Sequence, residues 1–125
     1  MDVTQLMVDD WVKVDDKIGQ VKMVTEFDVC VQVSEIEMIN SEIVEPIEIT
    51  DDFLVANGFE KETDWFVRQT SDIMLKKYED KYRIVTSPMM QECQYLDTSI
   101  IYVHQLQHIM SLLNIKQKIK IEINE

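Results

Sequence analysis

Residues 100–114, IIYVHQLQHIMSLLN, limit the fold of this chain more than any other stretch. They run without Gly or Pro, and their apolar members recur at helical spacing. With Leu106 at zero and about 100° per residue, Tyr102, Val103, Ile109, Met110 and Leu113 fall within about 60° of it. His104, His108 and Ser111 fall on the far side, with Gln105 and Gln107 on the flanks. A helix with one apolar stripe must bury it against a partner. The segments elsewhere that alternate at strand period can supply a sheet as that partner.

Trp11, Val12 and Val14 lead to a turn at Asp15-Asp16, and residues 18–24 follow, with Gly19 as a bulge or turn residue. Phe27, Val29, Val31 and Val33 alternate with Asp28, Cys30 and Gln32, which predicts a half-buried strand. The phase slips near Ser34, where a bulge or turn is expected. Short strands with tight turns predict a small curled sheet or a partial barrel of SH3-like size. Pro46 marks an edge or connector. Thr50 is placed to cap a short helix near 51–57, with Asp51 and Asp52 in its first turn, Asn57-Gly58 as its left-handed stop and Phe59 folding back onto it.

Farther on, Trp65-Phe66-Val67 predict a strand, and residues 73–78 and 81–86 a hairpin about Glu79-Asp80. Glu-Asp is not the favoured pair for a tight turn, so a loop wider than two residues is expected. Residues 92–96 read as a further strand, Thr98 or Ser99 as the cap of the main helix, and Ile119, Ile121 and Ile123 as one face of a last strand. The expected fold is α+β with mostly antiparallel strands, in a single domain made of an acidic β-rich half, 1–49, and a mixed half, 50–125.

Charge is distributed unevenly. Residues 1–60 hold fifteen acids and three bases, whereas residues 61–125 hold nine of each. No base occurs between Lys22 and Lys61. Such a surface repels phosphate backbones and anionic lipid, so neither nucleic acid nor membrane is an expected direct partner. Glu35, Glu37, Glu42, Glu45, Glu48, Asp51 and Asp52 are the candidate acidic surface; solubility alone is the simpler reading of the same residues. No run of 18 apolar residues occurs, and the acidic start MDVTQLMVDDW lacks the apolar core of a secretory signal. The two cysteines, Cys30 and Cys93, are expected as free thiols of a reduced cytoplasm.

His104 and His108 stand four apart, a spacing that lets two imidazoles share a metal. Gln105 lies where a metalloprotease-like motif needs glutamate, and no third ligand is near in sequence. Two solvent-facing histidines opposite the apolar stripe are therefore the simpler expectation. No Lys, Arg, Asp or Glu occurs from Thr98 to Ile115, and an exposed helix face normally carries charges. Tyr102, His104, Gln105, Gln107 and His108 thus form a candidate contact face, covered by the protein's own strands or by a partner.

Gly19 and Gly58 stand alone, so no glycine-rich phosphate loop is present, and no Gly-x-Ser-x-Gly elbow occurs. Neither cysteine lies in a nucleophile motif, and eight methionines fit adaptable packing. No catalysis, metal or cofactor is expected.

Tyr102-Val103-His104-Gln105-Leu106-Gln107 resembles the "YVHQLQ" signature of a family of small uncharacterised proteins from gut Bacteroidales and their phages. Residues 6–12, LMVDDWV, resemble that family's opening "LRIGNWV"; residues 45–50, EPIEIT, its "EPIPLT"; and residues 57–61 its "NGFEK". Met7-Val8-Asp9 replace Arg-Ile-Gly, removing a turn glycine and a positive charge. The resemblance implies a small bacterial or mobile-element protein and carries no activity. Two functions follow as expectations: a non-enzymatic accessory protein acting by protein contact, or an acidic inhibitor that imitates nucleic acid. Nothing in the sequence sets the oligomeric state.

Overall fold

The computed structural model of the protein describes residues 5–68, 73–86, 94–112 and 119–121. By internal contacts the chain forms two units, one of Met1–Glu48 with Tyr102–Glu125 and one of Ile49–Ile101.

The first unit is built on four antiparallel strands: β1 (Trp11–Val14), β2 (Lys17–Val24), β3 (Val29–Gln32) and β4 (Met38–Ser41), adjacent in chain order. Val14 pairs with Lys17 across a two-residue turn. Asp15 and Asp16 both take the left-handed backbone there, with φ of 49° and 63°. Such a turn matches the natural twist of a hairpin, and aspartate tolerates it better than most residues. Alternation then sends Val12, Val14, Val21, Val29 and Val31 inward, where they form one buried cluster with Leu6, Val33 and Val44. The sheet also curls. Beyond β4 the chain returns to the free edge of β1, where Lys13 and Glu45 exchange backbone hydrogen bonds of 2.9 and 2.8 Å. The expected curled sheet is thus drawn toward a barrel by one antiparallel bridge.

Several local expectations are corrected. Phe27 is not in the strand; it sits 74% exposed in the β2–β3 turn. Thr25 Oγ1 accepts from the N–H groups of Phe27 and Asp28 there, and this turn breaks the alternation before Val29. The slip near Ser34 is, as expected, a turn, in which Ser34 Oγ accepts from the N–H of Glu37. The register shift of β2 lies between Val21 and Met23, not at Gly19. Gly19 serves close approach: a Cβ there would press into the Gln32 carbonyl and lie 2.7 Å from Val31 Cγ1.

The main helix, α2 (Val103–Leu112), lies against β1. Val103, Leu106 and Met110 are buried and Ile109 half-buried, so the apolar stripe faces the sheet as the wheel requires. The helix starts later than expected. Thr98 and Ser99 belong to a strand, and the start is closed instead by Gln105, whose side-chain oxygen accepts from the Tyr102 N–H at 3.1 Å. This is the reach-back half of a capping box. Leu113 and Asn114 lie outside the described residues. Of the expected last strand, Ile119 is buried, but residues 119–121 are not in a strand and Ile123 lies outside the described residues.

The second unit is a five-stranded antiparallel meander: β5 (Phe59–Glu62), β6 (Trp65–Arg68), β7 (Met74–Tyr78), β8 (Lys81–Thr86) and β9 (Gln94–Ile100). Phe66, Leu75 and Ile84 stand opposite one another across three strands, all fully buried. Tyr82 meets Phe66 edge-on at 5.7 Å between ring centres. The short helix α1 (Asp51–Ala56) is capped by Thr50 Oγ1 accepting from Phe53 N–H, and Gly58 follows it at φ 93°. Strand β5 has no counterpart among the sequence expectations. The Glu79-Asp80 loop is two residues long, not wider, because Glu79 accepts a left-handed φ of 52°. Among the described residues, no helix is long and apolar enough to cross a membrane.

Two substitutions probe this packing through the denaturant midpoint. Leu106→Ala is expected to cost about 2–5 kcal/mol, whereas under half a kilocalorie would show that the stripe is not core. Gly19→Ala is expected to cost about 1–3 kcal/mol, because β2 and β3 must part to admit one methyl group.

Candidate functional site

The polar side of α2 is held by the N-terminal segment of its own unit. Asp10 is 2% exposed, and its Oδ2 accepts from the Met7 N–H at 2.8 Å and from His108 Nε2 at 2.6 Å. Gln107 bonds twice: its Oε1 accepts from the Trp11 N–H at 2.9 Å, and its Nε2 donates to the Asp9 carbonyl at 2.8 Å. The Trp11 indole N–H donates to the Ile119 carbonyl. Of the expected contact face, Gln107 and His108 therefore bind the protein's own backbone and a buried carboxylate, and Gln105 closes its own helix. The absence of charge on this face follows: amides pair with part-buried backbone groups at a smaller desolvation cost than ions.

His104 and His108 meet edge-on at 5.7 Å, and Tyr102 stacks on His104 at 6.0 Å. Burial lowers the His104 pKa from its ordinary value; the Asp10 carboxylate opposes this and His108 adds to it. The ring is thus neutral at pH 7, and its buried Nδ1 has no hydrogen-bond partner among the described residues. Among the described residues no three His, Cys, Asp or Glu side chains are grouped to hold a metal ion. The Asp10–His108 pair has the form of a base and its orienting carboxylate. Among the described residues, no hydroxyl or thiol hydrogen-bonds to either imidazole.

No family model, curated protein or solved structure matches the chain. Local geometry alone therefore bears on function.

The acidic residues divide by position. Glu35, Glu37, Glu42, Glu45 and Glu48 are exposed on the turns and connectors of the first unit. Glu37 holds Lys17 at 2.6 Å. Asp51 and Asp52 belong to the second unit. Asp51 there accepts from Lys77 at 2.9 Å, Lys61 at 3.1 Å and the Tyr82 hydroxyl at 2.7 Å, tying the start of α1 to the sheet. The Lys77 hydrogen bond is the main reason that its carboxyl falls to about 2 from an ordinary 3.8, with Tyr82 and Lys61 assisting against burial. Tyr82 is in turn pushed upward, first by burial and then by Asp51.

Sequence reasoning missed two features. Asp10 gave no signal, since one more acid in an acidic stretch stands out only once His108 is placed against it. The second is a set of exposed apolar side chains around β2–β4: Ile36 is 95% exposed and Ile43 76%, with Met23, Phe27 and Met38 also open. On β3 and β4 the face opposite the valine cluster carries Cys30, Gln32, Met38 and Asn40, none of them charged. The acids lie around this face, not on it.

Asp51 supplies a pH test. A lowered carboxylate pKa stabilises the fold above the ordinary value, and that contribution disappears as pH falls through the folded value. Asp51→Asn is expected to lower stability by about 1 kcal/mol at pH 7, after allowance for solvent screening of the exposed lysines. The gap between the two proteins should close between about pH 4 and pH 2. A gap unchanged across that window in urea titrations would show that the carboxylate is not held by these partners.

Proposed function

We propose that this protein is a small non-enzymatic accessory protein of a bacterial or phage genome, working in the cytoplasm by contact with another protein. The observation that carries this reading is the set of open apolar side chains, Met23, Phe27, Ile36, Met38 and Ile43, beside an uncharged sheet face in an otherwise acidic unit. Solubility explains the acids but not the apolar groups, which are open at both ends of β3 and β4, and large exposed apolar side chains are a feature of association surfaces. The resemblance to small Bacteroidales and phage proteins supports the proposed origin.

The nucleic-acid mimic is less well supported. It needs Glu26, Asp28, Glu35, Glu37, Glu42, Glu45, Glu48, Asp51 and Asp52 on one continuous acidic surface. Asp51 already holds two lysines and a tyrosine, and Glu37 already holds Lys17.

Capture from host lysate at low and physiological salt separates the two. A contact protein is expected to keep its partner at physiological salt and to lose it in a Phe27→Asp, Ile43→Asp double variant. A mimic binds through released counterions and weakens steeply with salt. Recovery of nucleic-acid-binding proteins alone, at low salt only, and their loss once acids 35, 37, 42 and 45 are neutralised, would overturn the proposal.

A further inference from the structure

We infer that β4 is a docking edge, one that takes an extended basic peptide as an added antiparallel strand. The inference rests on the protein-contact reading and names its site and the chemistry of the partner.

Strand β4 is the last in its sheet order, with β3 on one side. The Val33 N–H donates to the Glu37 carbonyl at 3.0 Å, and the register continues through Val31 with Ile39 and Val29 with Ser41. Hydrogen-bonded and non-bonded pairs alternate in an antiparallel ladder. The N–H and C=O groups of Met38 and Asn40 therefore point away from β3. Among the described residues nothing bonds to them. Four backbone groups are thus presented in strand geometry, the requirement for strand addition. Natural edges are usually guarded by shortness, charged side chains, proline or a bulge. The four-residue strand Met38-Ile39-Asn40-Ser41 is short but carries no charge, proline or bulge, and its pairing with β3 is regular.

Charge selects the occupant. Glu35 and Glu37 precede β4, Glu42 and Glu45 follow it, and no base occurs from Met23 to Glu60. Glu37 already holds Lys17, so Glu35, Glu42 and Glu45 set the local field. A second copy pairing β4 with β4 in antiparallel fashion would bring acidic ends against acidic ends. A peptide with Lys or Arg at both ends places opposite charges there, and its central side chains meet Met38 and Asn40, which are uncharged. About five or six residues span the strand and reach both acidic ends.

The probe is a hexapeptide with lysine at both ends and alternating valine and threonine between them, added to the full chain labelled with nitrogen-15. Binding is expected to shift the Met38 and Asn40 amide signals and slow their hydrogen exchange. The same peptide with alternate backbone amides methylated keeps its charge but loses its donors, and is expected to bind at least tenfold more weakly. Neutralising Glu35, Glu42 and Glu45 to Gln is expected to weaken binding about three- to tenfold. Equal binding of the methylated peptide, amide changes away from β4, or no binding at millimolar peptide would each overturn the inference. The methylated probe acts on the unaltered protein, so no variant has to fold. If the peptide fails while lysate capture still depends on Phe27 and Ile43, the edge is refuted and protein contact stands.

Discussion

Strand β1 is the element on which the first unit depends. One of its edges is paired with β2, and the other exchanges hydrogen bonds with Glu45 through Lys13. Helix α2 lies against it, and its first residue, Trp11, is fastened by Gln107 through the main chain and by Ile119 through the indole. Bonding on both edges leaves few backbone groups of the strand to solvate, so its inward side chains can be buried. Val12 and Val14 are buried accordingly. A four-strand meander alone would expose both edges; the return of Glu45 to β1 leaves β4 as the open edge.

Burial of the N-terminal segment of β1 brings polar groups with it, and α2 answers them. The Trp11 N–H and the Asp9 carbonyl each need a partner, and one glutamine amide supplies both functions. The Asp10 carboxylate, nearly closed to solvent, accepts from a backbone amide and an imidazole. Leaving the buried Asp10 carboxylate unpaired would cost about 1–3 kcal/mol or more. The uncharged polar stripe on α2 is thus the complement of one backbone turn. Asp9 forms that turn at φ 76°, at a cost that aspartate bears better than most residues.

The two units solve the same problem with few glycines. Five described residues other than glycine have positive φ: Asp9, Asp15, Asp16, Thr63 and Glu79. Asp15 and Asp16, Thr63 and Glu79 lie in two-residue hairpin loops, where the twist of the paired strands selects that conformation whatever the residue. Propensity rules therefore anticipated the Asp15-Asp16 turn but overestimated the Glu79-Asp80 loop. Strand pairing on both sides of a loop outweighs the roughly 1–2 kcal/mol preference of one residue against the left-handed region.

Periodicity determined the apolar stripe of α2 and the inward valines of β3, and turn and capping chemistry the β1–β2 hairpin and the Thr50 cap of α1. Each rests on neighbours within one turn or one strand, so local chemistry suffices. Phe27 misled because alternation continues on paper through a residue that a side-chain-capped turn removes from the strand. Thr98 and Ser99 misled because good capping residues were claimed by β9 pairing. The tertiary structure alone decided that Asp10 meets His108, that Glu45 returns to β1 and that Asp51 gathers Lys61, Lys77 and Tyr82. These pairs are 98, 32, 10, 26 and 31 residues apart in sequence, respectively counting Asp10–His108, Lys13–Glu45 and the three Asp51 contacts. Contacts at such separations leave no periodic trace in the chain, because they are selected by burial and hydrogen-bond satisfaction after the strands have paired.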